Sequence, residues 1–179
     1  MASVGSMEVN INTVINKLNA GHLLENVRWI RENFDFIKHF NWNNMDPAMA
    51  SGSGFDKALI PRLNDFELSL YNAMAYLVNE KCTFRAERVP LCYMTYFAAY
   101  STETRKIVKD EERRVYFLDK RGIFEQQRWD YDKAPACLVC SVNDICAGLY
   151  RSDAYYSARE LYPLFIKKNE IIDAIRSHA

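Results

Sequence analysis

Val115-Tyr116-Phe117-Leu118-Asp119-Lys120-Arg121-Gly122-Ile123-Phe124-Glu125-Gln126-Gln127-Arg128-Trp129 is where the apolar period of this chain changes from helical to two. Alternating apolar and polar residues suit a half-buried strand. Asp119-Lys120-Arg121-Gly122 reads as the turn, with Gly122 free to take a left-handed conformation. Ile123 to Trp129 is then the returning strand. After Asp132-Lys133-Ala134-Pro135, the run Ala136 to Val142 reads as a third strand. The expected sheet is a small three-stranded antiparallel meander.

Helical spacing surrounds this centre. Leu23, Val27, Ile30, Phe34 and Ile37 recur at steps of four and three, which predicts one helix from about His22 to Phe40. Ile11, Val14, Ile15 and Leu18 suggest a shorter helix before it, stopping near Gly21. Asn64 with Glu67 resembles a capping box, opening a helix whose stripe is Phe66, Leu70, Ala73, Met74 and Leu77. Another helix is expected after Pro90, running through Leu91, Met94 and Ala98 towards Lys109. A C-terminal helix capped by Ser152 or Asp153 should kink at Pro163 and continue through Ile171, Ile172 and Ile175. The expected fold class is α+β and mainly helical: a helical N-terminal part, the meander, and the kinked C-terminal helix.

The 179 residues suit one domain with a real core, here 7–179, or two lobes joined at a flexible stretch. Residues 41–56 are that stretch, because Asp46-Pro47 and Ser51-Gly52-Ser53-Gly54 break the pattern. Residues 1–6 read as a leader or cloning scar, with Met7 an alternative start. Lys plus Arg and Asp plus Glu balance at 23 each, which disfavours a strongly electrostatic binder of nucleic acid or membrane. No run reaches the roughly 20 apolar residues of a membrane helix. Five cysteines, an odd number in a chain large enough to fold without staples, point to a reducing, cytoplasmic setting.

Reactive residue types cluster at one place, Cys137-Leu138-Val139-Cys140 with Cys146. On a strand, Cys137 and Cys140 would point to opposite faces and could not share a metal. Buried cysteine also behaves as a small hydrophobe, so a structural role is expected and no cofactor is assigned. The alternative is a zinc site using Cys137, Cys140 and Cys146 with Cys82, Cys92 or a histidine. The zinc deaminase signature is not met: Ala136 separates Pro135 from Cys137, and no His-x-Glu precedes them. His22, His39 and His178 are all distant in sequence from a cysteine, so no nucleophilic dyad is legible. Phosphate-binding glycine loops are absent, and Asp110-Glu111-Glu112 reads as a solvated charged turn.

The hairpin carries the binding expectation. Pairing Leu118 with Ile123 sets Tyr116 opposite Glu125 and Arg114 opposite Gln127, and Trp129 continues that face. Arg114, Tyr116, Gln127 and Trp129 are the right types to grip a protein partner or to stack bases of a single strand. With 11 Tyr and 10 Phe, no assembled catalytic set and a neutral balance, the leading expectation is a small non-enzymatic protein. It would act through protein–protein binding or as a homo-oligomer, as a viral or phage accessory protein does. Binding of single-stranded RNA or DNA by the hairpin is the alternative, and no membrane partner is expected.

Overall fold

Along Asn10–Ile15 and His39–Asn44 burial alternates from one residue to the next, and both are strands, β1 and β2. A computed structural model describes residues 8–46, 56–116, 122–126, 128–150 and 155–177. After β1 a 3₁₀ turn at Ala20–His22 leads into helix α1, Leu23–Asn33. Then come β2, helix α2 (Leu63–Asn79) and strand β3 (Thr83–Glu87). Short 3₁₀ segments at Leu91–Tyr93 and Thr95–Tyr100 precede helix α3, Thr102–Lys109. Strands β4 (Arg113–Tyr116) and β5 (Ile123–Gln126) form the hairpin. The later chain holds 3₁₀ turns at Pro135–Val139 and Ala158–Glu160, and ends on helix α4, Lys168–Ser177.

The antiparallel meander is overturned. The three-stranded sheet is all parallel, in the order β1-β2-β3, and a separate antiparallel pair joins β4 to β5. The fold is mixed α and β. The run Ala136 to Val142 supplies no strand; it is the 3₁₀ turn Pro135–Val139 followed by a bend. The expected first helix is β1, because Ile11 and Ile15 are met by a period-two pattern as well as by a helical one. The long helix expected to Phe40 stops at Asn33, where Phe34 turns extended and β2 takes over. The helix expected from Pro90 to Lys109 is broken into two 3₁₀ segments and α3, which Ser101 caps by accepting from the Thr104 amide at 3.3 Å. Pro163 lies in irregular chain before α4 rather than inside a helix. Asn41 to Asn44 of the expected flexible stretch are β2, while residues 47–55, the leader at 1–6, and the expected caps Ser152 and Asp153 lie outside the described residues.

Topology explains which side of the sheet is covered. Both βαβ connections step the same way across the sheet, and such crossovers are right-handed almost without exception, so both helices fall on one face. α1 and α2 pack on each other there. Beneath them lie Ile15, Phe40, Trp42, Phe84 and Ala86, with Leu23, Val27, Phe66, Leu70 and Leu77 from the helices. The opposite face carries Asn10, Asn12 and Val14 from β1, His39, Asn41 and Asn43 from β2, and Thr83, Arg85 and Glu87 from β3. All-parallel sheets are usually covered on both faces. Here the polar ladder substitutes for a second layer: His39 Nδ1 lies 2.7 Å from Thr83 Oγ1, and Asn43 donates to Asn12 Oδ1.

Candidate functional site

Three features of the described residues were candidates for function: the hairpin, a polar cleft at the sheet edge, and an aromatic cluster after α1. In the hairpin, Tyr116 pairs with Ile123 and Arg114 with Glu125. The register is shifted two residues from the expected one, which keeps the same residues on each face. Tyr116 and Ile123 are exposed, and Arg114 Nε sits 3.0 Å from Glu125 Oε1. Trp129 does not join them. It is 4% exposed, and its indole N–H donates to the Glu111 carbonyl at 3.1 Å. Gln127 lies outside the described residues.

The cleft, about 430 Å³, opens at the carboxyl ends of the parallel strands. This is where open α/β sheets commonly bind ligands. Asn12, Asn43, Asn44, Asp46, Glu87, Arg88 and Arg113 line it. Their polar groups are spent on one another. Glu87 Oε1 receives Arg113 at 3.0 Å and Arg88 at 3.5 Å. The Arg88 guanidinium also stands 5.3 Å over the Tyr150 ring, and the Tyr150 hydroxyl donates to Asp46 at 3.0 Å. Asn44 is fully buried and satisfied by the Arg88 carbonyl and the Tyr156 hydroxyl. Arg88 takes a left-handed backbone conformation, φ 59°, which turns its amide onto the buried carboxyl of Glu103 at 2.8 Å. Burial pushes the Glu103 carboxyl up to about 7. The cleft is thus a self-satisfied polar lock on the sheet edge. None of its residues was singled out from sequence, because a left-handed Arg and a buried Glu have no local signature.

No family model, curated protein or solved structure matches the chain.

The aromatic cluster is built by the end of α1. Trp29 lies off the buried stripe and is 58% exposed; Phe34 and Phe36, at 39% and 62%, sit in the connection to β2. Trp29 meets Phe34 edge-on at 5.8 Å, and Phe34 meets Phe36 at 6.1 Å. The connection is held from behind. Arg31 donates to the Asp35 carbonyl at 2.7 Å and the Ile37 carbonyl at 2.8 Å, and Asn33 donates to Trp29 O at 2.8 Å. Three rings are therefore displayed on a fixed backbone. A second exposed group, Leu68, Tyr71 and Tyr96, flanks α2. Sequence reading missed the first cluster and put Phe34 in the buried stripe; the signal that could have found it is a Trp on the charged face of an amphipathic helix, which has no core to enter.

The cysteines divide. Cys82 is buried near β3, with its thiol 3.7 Å from the Glu80 carbonyl. Cys92, Cys137, Cys140 and Cys146 line one small cavity together. Among the described residues, no group of three or more His, Cys, Asp and Glu side chains is gathered as a ligand set. No described helix is long and apolar enough to cross a membrane.

Proposed function

We propose that this chain is a non-enzymatic interaction protein that self-associates, with Trp29, Phe34 and Phe36 as the contact. The displayed aromatic cluster carries this reading. Trp and other large rings dominate interface hot spots, and a rigid backbone lowers the entropy lost on binding. A second copy suits the patch electrostatically. The chain has no net charge, and the rim holds exposed residues of both signs, Glu25, Arg28, Glu32, Asp35 and Lys38. Across a two-fold axis the same patch meets itself, so residues of opposite sign can face each other.

The test is molar mass by light scattering across a concentration series, for the full chain and for Trp29→Ser with Phe36→Ser. Both side chains are exposed, so the fold should survive. The expected result is a concentration-dependent oligomer that the double variant abolishes. In a two-fold contact each substitution counts twice, so loss of a hot spot worth about 2 kcal/mol per copy weakens association by roughly 1,000-fold. Trp42 and Trp129 are buried, so Trp29 is the exposed indole, and quenching of its emission should fall as oligomer forms. A monomer at every concentration would sink self-association.

A further inference from the structure

The 3₁₀ turn at Pro135–Val139 changes what Cys137 and Cys140 can do. On a strand they would diverge, but residues three apart eclipse in a 3₁₀ turn. The Cys140 amide donates to the Cys137 carbonyl at 3.2 Å and closes that turn. Both therefore face the cavity shared with Cys92 and Cys146, which also meets Lys133 and Tyr162. Its volume of about 20 Å³ is that of one small occupant. Cys137, Cys140 and Cys146 are close in sequence, and the tertiary fold brings Cys92 to them.

Around the sulfurs the backbone points donors inward. The Leu164 amide donates to Cys140 Sγ at 3.3 Å. The amide of Tyr162 faces the Cys92 thiol, and those of Leu91 and Gly148 face Cys146. Lys133 is anchored beside them, its ammonium donating to the Cys146 and Asn143 carbonyls. Amide and ammonium donors of this kind stabilise sulfur as an anion. The surrounding chain is poor in regular structure: between β5 and α4 the described residues hold 3₁₀ segments, turns, bends and an isolated bridge of Asp132 with Leu149.

We propose that Cys92, Cys137, Cys140 and Cys146 form a tetrahedral four-thiolate zinc site that fastens this loop-rich segment to the Leu91–Tyr93 turn. Four S–H protons leave to solvent and four Zn–S bonds form; nothing is oxidised. The resulting charge of the complex is offset by Lys133 and the amide donors. Among the described residues the thiols are not gathered as a ligand set, so metal binding has to draw them together.

The experiment is metal analysis of the full chain purified under reducing conditions without chelator, paired with cobalt titration of the zinc-stripped, reduced protein. The expected result is one zinc per chain, and a cobalt spectrum with thiolate charge-transfer bands and the intense visible bands of tetrahedral coordination. Cys140→Ser should lose the metal, and Cys82→Ser should keep it. The cobalt arm needs no variant, so it stands even where Cys140→Ser fails to fold. The proposal is overturned if the folded, reduced wild-type chain gives no thiolate–cobalt bands. It also falls if Cys82→Ser loses metal as Cys140→Ser does, or if the four cysteines prove to be paired as disulfides.

Discussion

Glu103 is 2% exposed, and its carboxyl accepts from the amide of Arg88 and faces its own backbone amide. Its carboxyl titrates near 7 in the folded chain, against 4.5 for an ordinary glutamate, with burial the main cause. A raised acid pKa means that the folded state holds the proton more tightly than the unfolded state. Stability from this group is therefore full below about pH 4.5, declines as pH rises to about 7, and is flat above. The decline is on the order of 3 kcal/mol. Glu103→Gln keeps an oxygen to accept the Arg88 amide but removes the titration. Urea unfolding at pH 5 and pH 8 should show the wild-type chain losing stability across that window, and the variant losing much less. Equal slopes would mean that Glu103 ionises normally. Nothing near Glu103 in sequence announces this, since the burial comes from the packing of α3 against β3.

Among the elements, α2 was the most legible. Phe66, Leu70, Ala73, Met74 and Leu77 were read as its buried stripe, and all are fully buried. Its capping was less so. Asn64 and Glu67, the expected box, instead accept from the hydroxyls of Tyr93 and Tyr162, both at 2.7 Å. Asp65 accepts from the Arg62 amide at 2.9 Å. The hairpin was found with its register two residues off, which keeps Arg114, Tyr116 and Glu125 on one face, but Trp129 left that face for the core. β1 was missed because Ile11, Val14 and Ile15 also fit a helical period, and both strands carry a misleading composition. Their polar positions are asparagines, which signal turns in isolation, although His39-Phe40-Asn41-Trp42 alternates as a strand does. Stripe positions should be sharply unequal in energy. Leu70→Ala should cost about 2–5 kcal/mol, the transfer term plus the cavity, whereas Leu68→Ala on the exposed face should stay within about 0.5 kcal/mol. Chemical denaturation of the two variants checks this, and similar losses would refute the assigned face of α2.

At the scale of the whole molecule, the question is how the loop-rich later chain holds to the parallel sheet and its helices. The polar open face and the sheet-edge lock are consequences of topology, invisible to any local window, and the same is true of this attachment. Glu160 is its clearest pin. One oxygen accepts the Leu63 amide at 2.7 Å, and the other lies 3.4 Å from Arg62 Nε. Leu63 opens α2, so a carboxylate from a distant segment satisfies a donor that the helix leaves unpaired, and its charge complements the helix dipole. The Glu160 carbonyl accepts from the Tyr93 hydroxyl at 2.7 Å, tying the same residue to the turn before α3. Arg62 is exposed, so the ion pair itself contributes little. The amide contact, with its partner half-buried, should carry most of the effect. Glu160→Ala should therefore destabilise the chain by about 1–2 kcal/mol, in the range of a lost N-cap. Glu160→Gln retains an acceptor and should cost less. Hydrogen exchange separates this cap from a merely local contact: in Glu160→Ala, amides at the start of α2 and across residues 155–166 should lose protection together. Loss confined to residues 155–166 would show that the later chain rests on α2 without capping it.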